Sequence, residues 1–355
     1  MRWMGLTHME YTKMNDIFSE DMSQIAASPS VDWEKLAGKT IFVTGATGLI
    51  GRTLVSALLY ANDEKHLGLR ILALVRNEEK AAAIFGRPAA LEYIVGTIEE
   101  LPPVSSAVDY VIHGASPTAS RFFTEHPVET IRAGTIGTMN VLELAREKGV
   151  KSFVYLSSME VYGAPQTDAP IPETQGTTVD TMAVRSCYPE AKRISEALCA
   201  AYASEYGVPA AAIRLAQTFG PGIAADENRV FAEFARCAMT GKDIALQTAG
   251  TSRRCYLYTA DAAAAILTVL LRGTPGEVYN AANPETYCSI AEMAKTVAEN
   301  LAVSPISVRF PPEGEHDKKY PPTHRLNLDV SKIEKLGWKP TRNLTDMYRR
   351  MMAEM

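Results

Sequence analysis

Short apolar runs separated by stretches of helical periodicity make up most of this chain. The first run, Ile41 to Val43, is followed by a glycine-rich stretch and then a helical segment from Arg52 to Tyr60. Further runs come at Ile71 to Val75, Leu91 to Val95, Tyr110 to His113, Phe153 to Ser157 and Ala211 to Leu215. Continuous apolar runs of this length predict strands buried on both faces. A helical pattern over Ile131 to Lys148 joins the runs at Tyr110 and Phe153. Strands alternating with helices predict an α/β protein with a doubly wound, mostly parallel sheet.

The pattern differs at both ends. Residues 1–38 precede the first strand as an N-terminal extension. It holds an amphipathic segment, Asp16 to Ala27, whose Ile17, Phe18, Met22 and Ile25 share one face, and Trp33 anchors the entry into the sheet. That face predicts a helix docked on the main body, with an oligomer contact as the alternative. Beyond Ala216 come a loop, a helix over Val230 to Met239, short strands at Ile244 to Gln247 and Arg254 to Tyr258, and an alanine-rich helix at Ala260 to Leu271. A returning strand and a helix beginning near Ser289 follow. Then come a proline-bounded charged loop, PPEGEHDKKYPP, and helices around Val330 to Gly337 and Leu344 to Met355. This order predicts a sheet domain over 39–215 with a return segment at about 259–283. Residues 216–258 and 284–355 form a smaller mixed α/β lobe for substrate.

The stretch TGATGLIG changes a fold prediction into a chemical one. Gly45, Gly48 and Gly51 stand at GxxGxxG spacing between a β-branched strand and a helix. Such a turn lets a diphosphate approach the backbone N–H groups and the positive end of the helix. The sheet is therefore expected to be of Rossmann type and to hold a dinucleotide. Arg76 ends the second strand, where an acidic residue would meet a ribose 2′-hydroxyl and an arginine suits a 2′-phosphate. NAD and NADP both stay open, with Arg76 leaning toward NADP; stacking or plain solvation of Arg76 is the alternative.

A second constellation is reactive. LSSMEVYG, Leu156 to Gly163, closes a core strand, whose carboxyl end faces the ligand crevice in sheets of this kind. Tyr188 and Lys192 lie four apart, on one face of a predicted helix. A lysine ammonium, like an oxidised nicotinamide, favours phenolate in a neighbouring tyrosine, which can then take a proton from a sugar hydroxyl near neutral pH.

TGATGLIG, SSMEVYG and YPEAK, in this order and spacing, resemble the extended short-chain dehydrogenase/reductase family, in its branch of nucleotide-sugar epimerases, dehydratases and decarboxylases. The likeness runs from about Lys39 through PTAS, GTIGTMNVLELA, RLAQTFGPG, NRVF and SKIEKLGWKP. RSCYPEAKR, EVYG, GTIGT and RCY bring it nearest to UDP-glucuronate decarboxylases. The resemblance implies that Ser158, Glu160, Tyr188 and Lys192 are catalytic. It also implies that Gly45, Thr47, Gly48, Leu49, Ile50, Gly51, Arg76, Thr97, Ile98, Ala115, Ser116, Thr135, Tyr188 and Lys192 meet the cofactor. Pro117, Thr118, Gln217, Asn228, Arg229 and Arg254 would meet a nucleotide sugar, and a homodimer would form through two helices of the cofactor domain. The implied reaction begins with oxidation at C4 of the sugar and ends as epimerisation or decarboxylation. A keto-sugar reductase using NADPH and a non-catalytic NADP-binding protein are the alternatives. Glu160 could instead be a solvated carboxylate, and Arg254 could pair with Asp261. The chain departs from the family pattern at Met159, where dehydratases carry an acid and decarboxylases commonly a serine, which counts against dehydration and, less strongly, against decarboxylation; Gln217 and Gly134 each replace an asparagine, and Thr97 replaces an acidic residue.

Composition narrows the partners. The 355 residues are 46% hydrophobic and 22% charged, with a net charge of −5. No Lys/Arg-rich run stands out, which argues against nucleic acid or an anionic membrane. No segment is apolar for eighteen residues and the first residues lack the apolar core of a secretion signal, so a cytoplasmic protein is expected. The 5 cysteines form no CxxC pair and the 6 histidines show no ligand spacing, so neither a disulfide framework nor a metal site is expected.

Overall fold

The computed structural model describes residues 16–176, 179–224, 226–312 and 323–355. The chain begins with helix α1 (Asp16–Ala26) and a short turn at Trp33–Leu36, and strand β1 (Thr40–Thr44) leads into α2 (Leu49–Lys65). Next come β2 (Arg70–Val75), α3 (Glu78–Phe85), β3 (Leu91–Val95), β4 (Tyr110–His113), α4 (Ser120–Glu125), α5 (Pro127–Arg132) and α6 (Thr138–Lys148). The chain continues through β5 (Ser152–Ser158), α7 (Cys187–Tyr206), β6 (Ala210–Leu215), β7 (Gln217–Phe219), α8 (Val230–Thr240), β8 (Ile244–Ala245) and β9 (Arg253–Tyr258). It closes with α9 (Thr259–Arg272), β10 (Val278–Ala281), β11 (Asn283–Ser289), α10 (Ile290–Asn300), β12 (Val308–Arg309), β13 (Arg325–Leu326), α11 (Ser331–Glu334) and α12 (Leu344–Met352).

Seven parallel strands form the main sheet in the order β10-β6-β5-β4-β1-β2-β3. Strand residues alternate between two cores, as the pleat requires. Ile41, Val43, Ile71, Ala73, Val154 and Ile213 pack in the cluster shared with α1, α2 and α9. Phe42, Leu72, Val111, Phe153, Ala210 and Ala212 pack in the cluster shared with α6 and α7. Burial on both sides explains why these strands read as unbroken apolar runs. The chain winds outward from β1 through β2 to β3, then crosses back to β4 and winds the other way. This reversal between β1 and β4 opens the ligand crevice typical of such sheets. At the far end, β5 pairs with β4 only as far as Tyr155 but with β6 as far as Ser158. Ser157 and Ser158 therefore project past the edge of β4.

A second, mixed sheet has β9 at its centre, antiparallel to β11 and parallel to β7 and β13. β7, β11 and β13 carry no apolar run that would have shown them in the sequence. The strand expected at Ile244 to Gln247 is only Ile244–Ala245, paired with β12. The helix expected from Val330 to Gly337 is a single turn, Ser331–Glu334, stopped before the positive-φ Gly337. The helix expected from Ile131 to Lys148 begins at Pro127 and contains a wide π turn at Ala133–Gly137. Two glycines in that turn sit under close packing. A Cβ on Gly134 would fall 2.7 Å from Ala191 Cβ, and one on Gly137 would fall 2.5 Å from Ile98 Cδ1.

The N-terminal helix is docked on its own chain, and Phe18, Met22 and Ile25 are buried. Its Asp21, 1% exposed, accepts hydrogen bonds from Tyr258 and from Arg350 of α12. Of the charged loop at 311–322, residues 313–322 lie outside the described residues.

Candidate functional site

Thr44 ends β1, and Gly45 turns the chain at φ +75°. A Cβ there would stand 2.7 Å from the carbonyl carbon of Gly114, and one at Gly51 would stand 2.1 Å from the Gly45 oxygen. Packing within the protein therefore demands glycine at both positions. Gly48 is different: it is exposed and forms the N-cap of α2 with no side-chain cap. No side chain caps the first N–H groups of α2, an arrangement that fits the diphosphate of a dinucleotide. Thr47, Leu49 and Ile50 are half-buried around this turn. Arg76 is exposed at the end of β2, with no ion pair among the described residues.

A buried polar chain supports the turn. The Thr44 hydroxyl oxygen accepts the N–H groups of Gly114 (3.2 Å) and Ala115 (3.1 Å), so its proton goes to His113 Nδ1 at 2.7 Å. The other ring nitrogen, Nε2, then carries a proton toward Thr138 Oγ1 at 3.2 Å. Thr138 contacts Ser195 of α7 at 3.1 Å, and Ser195 donates to the Gly134 carbonyl at 2.6 Å. Complete burial, with the Lys192 charge adding to it, lowers the His113 pKa to about 3 and keeps the ring neutral. His113 is thus a packed residue that ties the Gly114–Ala115 backbone to α6 and α7. Ser116 bonds the Pro117 carbonyl, and Thr118 is exposed just beyond. Thr97 caps the following turn through the Glu100 N–H, and Asn140 holds the carbonyls of Ile98 and Glu99. Thr135 bonds back to the Ile131 carbonyl.

The reactive groups meet where β5 ends beside the start of α7. Tyr188 and Lys192 are both buried, 8% and 4% exposed. Lys192 donates to the Leu156 carbonyl at 2.7 Å, and its ammonium lies 4.8 Å from the Tyr155 ring and 5.7 Å from the Tyr188 ring. Burial lowers the Lys192 pKa to about 7, with Glu196 working against the shift. Burial pushes the Tyr188 phenol up and the Glu160 carboxylate adds to this, while a hydrogen bond with Ser158 and the charges of Arg185 and Arg229 favour the phenolate. The Tyr188 ring stacks on Phe123 at 4.3 Å.

Glu160 is not a free, solvated carboxylate, because Arg185 Nη2 donates to it at 2.8 Å. Met159 turns into the core and is 4% exposed. Arg254 does not pair with Asp261, whose carboxylate instead takes Thr341 N and Oγ1. It donates to Gln217 Oε1 at 2.9 Å and meets His324 Nε2 at 2.6 Å. Arg229 is bound to Glu227 and lies 5.0 Å from the Phe231 ring, and Asn228 is exposed beside it.

The sequence of this chain matches the profile of the NAD dependent epimerase/dehydratase family over residues 41–282. The chain belongs to that family. It is an enzyme of the family. UDP-glucuronic acid decarboxylase 3 of Arabidopsis thaliana is 31% identical over 303 residues, which cover 84% of each chain. Two solved structures show the same fold. One is UDP-glucose 4-epimerase of Thermotoga maritima with UDP-glucose, with TM-score 0.72 and 23% identity, covering 89% of this chain and 98% of that one. The other is a dTDP-glucose 4,6-dehydratase of Streptomyces venezuelae with NAD bound, with TM-score 0.71 and 22% identity, covering 89% and 96%. No described helix is long and apolar enough to cross a membrane, and no metal-ligating cluster occurs among the described residues.

No local pattern in the sequence marks Phe123, Arg185 or His324. Arg185 stood in the quoted motif RSCYPEAKR, yet nothing in the spacing pointed to Glu160, 25 positions away. Phe123 and His324 meet their partners only through the tertiary fold.

Proposed function

We propose that this enzyme oxidises C4 of a nucleotide sugar and regenerates its cofactor within the same cycle, ending as an epimerase or a decarboxylase. The observation that carries this reading is the convergence of Ser158, Tyr188 and Lys192 beside an uncapped helix N-terminus between β1 and β4. Tyr188 removes the C4 hydroxyl proton, Ser158 orients that hydroxyl, and the Lys192 charge stabilises the phenolate. Gly45, Gly48 and Gly51 would hold the cofactor diphosphate, and NAD, when bound, would supply the hydride acceptor. Gln217, with Arg229 and Asn228 before α8, forms the subsite for the nucleotide diphosphate, and Arg254, on the strand beside Gln217, stands near the reacting sugar. A ketone at C4 makes a C6 carboxylate a β-keto acid, which loses CO2 readily; without a carboxylate, return of hydride to the other face gives the C4 epimer. Dehydration has no support at position 159, where a buried thioether replaces the acid.

The exposed Arg76 favours a second reading, an NADPH-consuming reductase of a keto-sugar. One experiment separates the two: release and weigh the bound cofactor, then follow reduced-nicotinamide absorbance with a panel of nucleotide sugars. Product without net absorbance change supports the internal cycle, while steady consumption of added NADPH overturns it.

We further propose a homodimer through the α5–α6 rod and α7. Val128, Ile131, Ile136, Met139 and Ile194 leave apolar side chains exposed there, a patch that suits a second copy. The five free cysteines fit a reducing cytoplasm.

A further inference from the structure

We propose that Arg185 selects a sugar bearing a carboxylate at C6, an inference that rests on the C4-oxidation reading above. Arg185 stands in the turn Val184–Ser186 that leads into α7. Its guanidinium lies 4.6 Å over the Phe123 ring and 5.9 Å from the centre of the Tyr188 ring. Stacking on this aromatic shelf positions the guanidinium plane independently of its ion pair. That pair, Nη2 to Glu160 Oε2 at 2.8 Å, joins side chains 37% and 36% exposed. A guanidinium carries five N–H donors, and no other hydrogen bond engages Arg185 among the described residues. Arg229 is tied to Glu227, and Arg254 to Gln217 and His324. Arg185 thus keeps donors to spare beside the Tyr188 ring.

C6 of a pyranose is attached to C5, next to C4. A substrate that offers its C4 hydroxyl to Tyr188 with C5, and not C3, turned toward Val184–Ser186 brings its C6 group close to the Arg185–Glu160 pair. Glu160 alone would repel a carboxylate there, whereas Arg185 can bridge both carboxylates from separate edges of its plane. A C6 hydroxymethyl group needs neither interaction. The pair thus discriminates by charge: Arg185 attracts a carboxylate that Glu160 would otherwise reject.

UDP-glucuronate and UDP-glucose differ only at C6 and serve as probes. Each is titrated by calorimetry into the cofactor-loaded Tyr188→Phe protein, in which turnover is blocked, and into the same protein carrying Arg185→Gln or Arg185→Lys. The expected result is that Arg185→Gln weakens UDP-glucuronate about ten- to a hundred-fold, the size of a lost charge-assisted hydrogen bond. UDP-glucose binding stays unchanged, which also shows that the site is still folded, and Arg185→Lys recovers part of the loss. Equal weakening of both probes, or unchanged UDP-glucuronate binding, overturns the role of Arg185. If the parent protein binds neither probe, the C4-oxidation reading fails first and this inference with it.

Discussion

Tyr188 is buried against Phe123 and lacks a direct contact with the Lys192 ammonium, which is held 5.7 Å from its ring centre. The phenol consequently sits above its ordinary pKa in the free protein, and deprotonation depends on positive charge brought close to it. Replacing Tyr188 with Phe should lower kcat by about 10²- to 10⁴-fold, the range for loss of a general base; a steady-state assay on the active nucleotide sugar checks this. Lys192 supports a test through stability. Its pKa is about 7 in the folded chain against 10.5 ordinarily, so between those values the unfolded chain holds a proton that the folded chain lacks. Stability should therefore rise with pH across that window. Lys192→Met should flatten the rise, as urea midpoints measured at both ends of the window will show.

At the scale of elements, the π turn in the rod from Pro127 to Lys148 brings α6 and α7 into close contact, and Gly134 is the contact point. Its carbonyl receives the Ser195 hydroxyl, and Ala191 fills the space where a side chain would stand. A longer side chain cannot enter here without a shift of α7, the helix that carries Tyr188 and Lys192. Gly134→Ala should cost about 1–3 kcal/mol as an overpacking substitution, visible as a lower unfolding midpoint. The Thr44–His113–Thr138–Ser195 chain ends at this same point. It links the cofactor turn to α7 through groups that stay uncharged over the ordinary pH range.

Across the whole molecule, α1 clamps elements far apart in sequence. Asp21 joins Tyr258 at the end of β9 to Arg350 in α12, and Gln24 bonds Thr341 and Arg342. Asp21→Ala removes one partner of a buried pair and should destabilise the chain by about 3 kcal/mol or more, with cofactor content unchanged in the protein that remains folded; differential scanning calorimetry and cofactor release test both parts. If α5–α6 and α7 form the dimer face, Ile131→Glu should yield a monomer by sedimentation, because a charge at the centre of an apolar contact is left unpaired.

By itself the sequence determined the main sheet, the glycine turn and the Tyr188–Lys192 pair. Each rests on local physics: buried strands must be apolar, a sharp turn between strand and helix calls for glycine, and four residues span one helical turn. The short strands β7, β11 and β13 were hidden because partners from distant parts of the chain, and not their own patterns, hold them in the second sheet. Long-range geometry also decided the partners of the charged groups. Glu160 could have been solvated and Arg254 could have paired with Asp261, but the fold brought Arg185 to the first and Gln217 with His324 to the second. A charge records in sequence only that it needs a partner or water; which partner reaches it depends on how the strands and helices are packed.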